Sequence, residues 1–369
     1  MTTPSSIRFV DLRPGEDADT VRAAIDRVLA RGWYVLGPEV EAFEAEFAAA
    51  SGARFAIGVA SGTDAIALLL RANGIGAGDE VIVPALTAAF TGLAVIAAGA
   101  RPVIVDVEPD TLTIDPAACA AAVTDRTRAI VPVHLYGQPA DMKAIGDVAA
   151  RYRLSVVEDC CQAHLATSAA IPVGTTGSGG AFSFYPTKNL GAFGDGGAVI
   201  TNDPAIAERV RRLRNGGQTD RYHHIEAGVN SRLDELQAAL LRARLGHLAQ
   251  WTARRRELAA LYRRLLPAGV EPIGERDAGH VYHLFPIRSP GRDRLQQALA
   301  AQGIETLIHY PVTLSDQPAF ARYGPAPSPV AAAAAQALLS LPLHPRLGDE
   351  DVVRVAAAAA EHQKGHVPA

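Results

Sequence analysis

From about Ala56 to Thr201 the chain alternates short apolar runs with longer amphipathic segments. The runs read FAIGVA, EVIVP, RPVIVDV, RAIVPVHL, LSVVED, AFSF and AVIT. They are rich in Val and Ile and nearly continuous in apolar character, as strands covered on both faces should be. Segments between them, such as TDAIALLLRANG and PADMKAIGDVAARYR, have helical length and helical apolar spacing. This alternation predicts an α/β fold, a mixed, mostly parallel sheet wound with helices. DPAIAERVRRLRNGG reads as a helix stopped by two glycines. The stretch from Ser231 to Gly269 reads as one long helical segment with Arg on its polar face, ending at Pro267. Beyond it, HVYHLFPIR and GIETLIHYP read as strands, with RDRLQQALAAQG, SPVAAAAAQALLSL and DEDVVRVAAAAAEHQ as helices. The expected division is a large α/β domain over 1–245 and a small α+β domain over 246–369.

Composition narrows the class. The 369 residues are 49% hydrophobic and 20% charged, with a net charge of −4. Without a basic run, nucleic acid is not an expected partner. The most apolar window, LTAAFTGLAVIAAGARPVIV, is interrupted by Arg101 and Pro102. It reads as a buried helix and strand, so no membrane association is expected. The start MTTPSSIRFVDLRPGED has no apolar signal core, which points to the cytoplasm. Cys119, Cys160 and Cys161 have no metal-site spacing and read as buried thiols; no metal is expected.

The basic residues are more informative. Of 35 Lys and Arg, only Lys143, Lys188 and Lys364 are lysine. Lys143 falls on a predicted helix and Lys364 near the end of the chain, whereas Lys188 sits in the glycine-rich FYPTKNLGAFGDGG. A lysine amine, unlike a guanidinium, can lose its proton near neutrality and attack a carbonyl. In open α/β sheets, ligands bind outside the carboxyl ends of the strands. Ser61, Gly62, Thr63 and Asp64 follow FAIGVA, Asp159 ends LSVVED with Gln162 and His164 beyond it, and Ser183 lies in AFSF. Taken singly, these residues have ordinary readings: Ser61–Thr63 as a helix N-cap and Asp159 as a turn or cap. Taken together they match one cofactor. Pyridoxal phosphate has an aldehyde for a lysine, a pyridinium nitrogen for a carboxylate, and a phosphate for a helix N-terminus.

With those residues in place, the sequence resembles the DegT/StrS-type sugar aminotransferases, within the aspartate-aminotransferase-like fold type I of pyridoxal-phosphate enzymes. The resemblance runs from RGWYVLGPEVEAFEAEFA through GVASGTDAIALLL, VVEDCCQAH, FSFYPTKNLGAFGDGGAVIT and GVNSRLDELQAALL to IHYPVTLSDQPAF and SLPLHPRL. It implies that Lys188 forms the internal aldimine and shuttles a proton, and that Asp159 pairs with the ring nitrogen. Gln162 would sit near the ring's O3′. Gly62, Thr63 and Ser183 would hold the phosphate, and Asn230 would reach it from the partner subunit of a homodimer with shared sites. Pyridoxamine phosphate would be the intermediate form.

The implied reaction takes an amino group from glutamate or glutamine to a keto sugar on a nucleotide diphosphate. A dTDP-3-keto-6-deoxyhexose is the first expectation, with a 4-keto isomer second and a cyclitol ketone third. Arg221, Arg232 and Tyr310 are the candidate substrate contacts, and His309 stands beside Tyr310. Two other classes share the resemblance. In the sugar dehydratases a histidine replaces the lysine, and a non-catalytic sensor would keep only the fold. Three positions depart from the family pattern. Ala88 stands where an aromatic often stacks on the ring, with Phe90 nearby; Leu165 replaces a common glycine; and Ser315 replaces a common histidine.

Overall fold

The computed structural model describes residues 6–364; of Lys364 it describes only the backbone, as the end of a helix. The first five residues of the N-terminal stretch lie outside the described residues. Seven strands form the central sheet: β1 (Phe55–Val59), β2 (Glu80–Pro84), β3 (Arg101–Val105), β4 (Thr127–Ile130), β5 (Ser155–Asp159), β6 (Gly179–Ser183) and β7 (Gly197–Thr201). Their order is β1-β7-β6-β5-β4-β2-β3. Strands β3, β2, β4, β5 and β6 pair in parallel. Strand β7 runs antiparallel to both β6 and β1. The carboxyl ends of β1, β6, β5, β4 and β2 therefore open on one edge.

Helices α1 (Ala18–Arg31), α2 (Pro38–Ala50), α3 (Gly62–Ala72), α4 (Ala89–Ala97), α5 (Pro116–Ala121), α6 (Met142–Tyr152) and α7 (Pro204–Arg214) surround the sheet. Both faces are packed. Ile57, Ile66, Leu69, Val83, Val131 and Val199 belong to one buried cluster, and Phe43, Phe47, Phe182 and Phe184 to another. Phe184 meets Phe43 and Phe47 edge to face, and Phe182 meets Phe47 likewise, with centroids 5.1–5.3 Å apart. The apolar window is α4 followed by β3. Helix α7 ends before Gly216 and Gly217, both at φ +78, a conformation open to glycine and strained for other residues.

Several expectations need correction. The long helical stretch is two helices, α8 (Glu235–Leu245) and α9 (Leu248–Leu265), which break at Gly246 and His247. Of HVYHLFPIR, only Phe285–Arg288 (β9) is strand; it pairs with β8 (Glu271–Pro272) and β10 (Leu338–Leu341) in an antiparallel sheet. SPVAAAAAQALLSL is helix only over α11 (Pro329–Ala337), because its last four residues are β10. Leu339 and Leu341 are needed by the sheet's buried face, so tertiary burial overrides local helix propensity. GIETLIHYP forms only isolated bridges, Ile7 with Ile304 and Leu307 with Ser340. Helices α10 (Arg292–Ala301) and α12 (Asp349–Lys364) complete the second unit, whose cluster includes Leu258, Tyr262, Phe285, Leu339 and Val355. We propose the domain boundary at Gly246, where α8 gives way to α9. Among the described residues, no helix is long and apolar enough to cross a membrane.

Candidate active site

A cavity of about 650 Å³ opens at the carboxyl edge of the sheet. Its lining includes Gly62, Thr63, Asp159, Gln162, Ser183, Lys188 and Tyr310, which the sequence separates by up to 248 positions (310 − 62). Ala88 and Phe90 are also at this cavity, with Phe90 63% exposed at its mouth.

The phosphate-type cradle follows from the start of α3. Ser61 is extended and caps the helix, accepting the Asp64 N–H through its side chain. Its carbonyl takes the Ala65 N–H. The Gly62 and Thr63 N–H groups are left in the first turn, where no intrahelical acceptor exists and the helix dipole favours an anion. A Cβ on Gly62 would lie 2.7 Å from Cys161 Sγ and from Ser183 Cβ. Glycine thus lets the turn approach β6, and Ser183 Oγ, which accepts the Tyr185 N–H at 3.3 Å, still has its own proton to donate.

Asp159 closes β5 and is 4% exposed. Thr91 Oγ1 donates to its Oδ2 at 2.8 Å, and the Cys161 N–H donates to its Oδ1 at 3.1 Å. The preceding Glu158 points to the other face, as strand alternation requires. Its Oε2 accepts from the Gly174 N–H and from His134, and its Oε1 from the N–H groups of Thr176 and Gly177, all at 2.7–3.0 Å. Because His134 Nδ1 accepts from Ala140, Nε2 is the nitrogen that donates to Glu158. Burial works to raise the Glu158 pKa, but the hydrogen bonds outweigh it and hold the carboxyl below the usual glutamate value. Glu158 was missed in the sequence; two consecutive acids ending an apolar strand were the available signal. His134, Glu158 and Cys160 bring one ligand-type atom each within 4.8 Å of one another, yet both ring nitrogens are already hydrogen-bonded and no metal role is assigned.

Lys188 is half-buried, and among the described residues no hydrogen bond or ion pair holds its Nζ. Desolvation lowers its pKa, opposed by Cys161 and Asp159. Nearby imidazoles respond in the same sense: burial first and the lysine charge second push His164 down to about 3 and His309 to about 4. Gln162 is fixed at both ends, accepting the Tyr136 N–H at 2.7 Å and donating to the Tyr310 hydroxyl at 2.9 Å.

Three expected residues are not brought to this cavity within one chain. Asn230 is exposed and bridges Asn215, Arg232 donates to Asn215 Oδ1 at 3.0 Å, and Arg221 is exposed over the Tyr222 ring. Ser315 bonds Ser328 and does not line the cavity. Leu165, where glycine is common, has φ +58. Two lining residues that sequence reasoning did not single out are Arg255 and His283.

A sheet with one reversed strand carries, at its carboxyl edge, a cavity that brings a lysine and a carboxylate together beside a helix N-terminus, the arrangement expected of a pyridoxal-phosphate aminotransferase. The chain matches the DegT/DnrJ/EryC1/StrS aminotransferase family over residues 16–360, and it belongs to that family. It is 50% identical over 364 residues to the dTDP-3-amino-3,4,6-trideoxy-α-D-glucose transaminase of Streptomyces venezuelae, covering 96% of each chain. It is also 49% identical to the erythromycin biosynthesis sensory transduction protein EryC1 of Saccharopolyspora erythraea, over 93% of this chain and 96% of that one. The crystal structure of S. venezuelae DesV in complex with a ketimine intermediate superposes with a TM-score of 0.94 at 47% identity, covering 99% of this chain and 100% of that one.

Proposed function

We propose that this aminotransferase moves an amino group from glutamate or glutamine to a nucleotide-linked keto sugar, a dTDP-3-keto-6-deoxyhexose, and does so as a homodimer. One observation carries the reading: Lys188, an amine of lowered pKa with no hydrogen-bond partner, shares a cavity with the oriented carboxylate of Asp159. The residues fit pyridoxal phosphate. Lys188 would hold its aldehyde end, Asp159 its ring nitrogen, Gln162 the side of the ring, and Gly62, Thr63 and Ser183 the phosphate. When bound, the cofactor supplies a reactive aldehyde and an electron-accepting ring.

The chain's own contribution is orientation and proton handling. Thr91 and the Cys161 N–H hold Asp159 in one rotamer, so its charge faces a fixed point. The lowered pKa leaves Lys188 Nζ able to take a proton from the carbon that loses or gains the amine, and to return it. A base placed this way contributes typically about 10²–10⁴-fold. Tyr310, held by Gln162, lies where a sugar hydroxyl could be met.

The 3-position is favoured over the 4-position by the name of the 50%-identical relative. The sensory reading takes its support from the name of EryC1, but it gives no reason to keep, in the cavity of Asp159, an amine that makes no hydrogen bond among the described residues. Dimerisation is supported by exposed apolar residues on two adjoining segments, Trp33, Tyr34 and Val35 with Tyr222, Ile225 and Val229. Val35 bridges Asp234, four residues after the exposed Asn230. In this reading Asn230, Arg221 and Arg232 serve the partner's cavity.

The test is direct. The purified protein should be yellow, glutamate or glutamine should bleach it, and the bleached form should aminate 3-keto in preference to 4-keto nucleotide sugars. Borohydride should trap cofactor on the wild type and none on Lys188→Arg. A colour that neither donor bleaches would sink the transaminase reading, and a preference for the 4-keto sugar would move the substrate.

A further inference from the structure

The buried arginines are Arg214, Arg255 and Arg292. Arg214 pairs with Glu44, and Arg292 with Asp293. Arg255 is 5% exposed and has no acidic partner among the described residues. A buried guanidinium without a counter-ion is costly unless an anion reaches it. Among the described residues Arg255 is also the only arginine lining the 650 Å³ cavity, and it forms part of the wall of a smaller recess that Lys188 lines too.

Its hydrogen bonds show which edge is free. Nη1 donates to the backbone carbonyls of Tyr282, His283 and Leu343 at 3.2, 3.4 and 2.8 Å. Those bonds fix the plane of the guanidinium. Among the described residues, Nε is buried with no partner and no hydrogen bond engages Nη2. Nε–H and Nη2–H form the side-on fork that fits a carboxylate in bidentate fashion. Burial, with no carboxylate to offset it, pushes Arg255 down to about 10, still fully charged near neutrality.

We propose that Arg255 anchors the α-carboxylate of the amino-acid donor. The proposal rests on the transaminase reading above. In an α-amino acid one carbon separates the amine from the carboxylate. The cation that holds that carboxylate must therefore stand close to the lysine whose place the amine takes. Arg255 and Lys188 share the walls of both recesses. A diphosphate carries more charge than one free edge can match, whereas a single carboxylate fills it. Glutamate and glutamine share the α-carboxylate, so both donors depend on Arg255 equally.

The test uses the cofactor-loaded protein and follows its visible spectrum as L-glutamate or L-glutamine is added, with dTDP binding measured by calorimetry. Arg255→Lys keeps a cation that can still donate to the carbonyls, and Arg255→Gln keeps a donor without the charge. Circular dichroism and the unfolding midpoint check that each variant is folded. Both variants should need about 10- to 100-fold more of either donor for half-bleaching, the range for a charged hydrogen-bonded pair, with dTDP affinity unchanged. Weakened dTDP binding would make Arg255 part of the nucleotide site and overturn the proposal. A loss confined to glutamate would assign it to the side-chain carboxylate and overturn it too. Unchanged half-bleaching concentrations would leave only a structural brace. If neither donor bleaches the wild type, the transaminase reading itself fails and takes this proposal with it.

Discussion

Glu158→Gln separates the scaffold of the site from its chemistry. The wild-type carboxylate accepts four hydrogen bonds, two on each oxygen, in a fully buried position. A glutamine in the same place keeps one oxygen and turns the other into an NH2 group that faces two donors. Two N–H groups are then orphaned. Each costs about 1–3 kcal/mol, so the expected loss is about 2–6 kcal/mol. The cost depends on pH with a definite sign. The folded-state pKa of Glu158 lies below its unfolded value, so its stabilisation is complete above the ordinary glutamate value of 4.5 and is lost as pH falls through the folded pKa. The gap between wild type and Glu158→Gln should therefore shrink in acid. Urea unfolding at neutral pH and at successively lower pH measures both, and Asp159→Asn serves as the control. In the control the amide NH2 can face the Thr91 hydroxyl, which can accept, while the oxygen keeps the Cys161 N–H, so it should cost cofactor function with little change in the unfolding midpoint of the cofactor-free protein. A neutral-pH loss below about 1 kcal/mol for Glu158→Gln, or a gap that widens in acid, would refute the assignment of those four hydrogen bonds to an ionised carboxylate.

Other perturbations have equally definite signs. Ala169 and Ala170 form the two-residue loop of the Thr167–Ser168/Ile171–Pro172 hairpin at φ 48 and 68, so Ala169→Asn with Ala170→Gly should stabilise by about 1 kcal/mol in urea unfolding. His164 is fully buried and held down to about 3, against an ordinary imidazole value of 6.5. Its neutral form contributes stability that is complete above pH 6.5 and declines by up to about 1.4 kcal/mol per pH unit as pH falls toward 3, so the unfolding free energy of His164→Gln should fall less steeply over that window. Ala88→Tyr would place an aromatic ring at the position where the family resemblance leads one to expect it, and cofactor should dissociate about 2- to 10-fold more slowly on dilution into buffer; an unchanged rate would mean the ring does not lie against this position.

The sheet was legible because each strand is an apolar run bounded by turn residues, and covered strands leave that imprint whatever their neighbours. The reversed direction of β7 was not, since AVIT carries no record of polarity. Where sequence reading failed, tertiary structure had overruled a local preference. Leu338 to Leu341 extend an alanine-rich helical pattern but are claimed by β9, and Gly246 breaks a periodicity that continues on both sides of it. The Ala169–Ala170 hairpin was invisible because alanine is a poor residue for positive φ. Leu165 is the converse: its glycine-type conformation explains why a glycine suits that position, although the chain tolerates a side chain there.

The site divided along a different line. Residues proposed to meet the cofactor through a charge or a helix terminus could be read as a set, because Lys188, Asp159 and Gly62 each stand at or after a strand end and each carry a distinctive chemistry. Residues whose role depends on what they lack could not. Arg255 lies in RRRELAALYRR, one guanidinium among several on a helix, and nothing in that run marks it as the one turned inward. Its neighbours show the difference: Arg254 pairs with Asp349 and Glu257, and Arg256 is exposed, donating to the His280 carbonyl. Only the packed structure shows that the middle member is buried against three carbonyls with no acid in reach. A missing counter-ion is a property of three-dimensional surroundings, which is why the sequence pointed to the lysine and left the neighbouring cation among ordinary surface arginines.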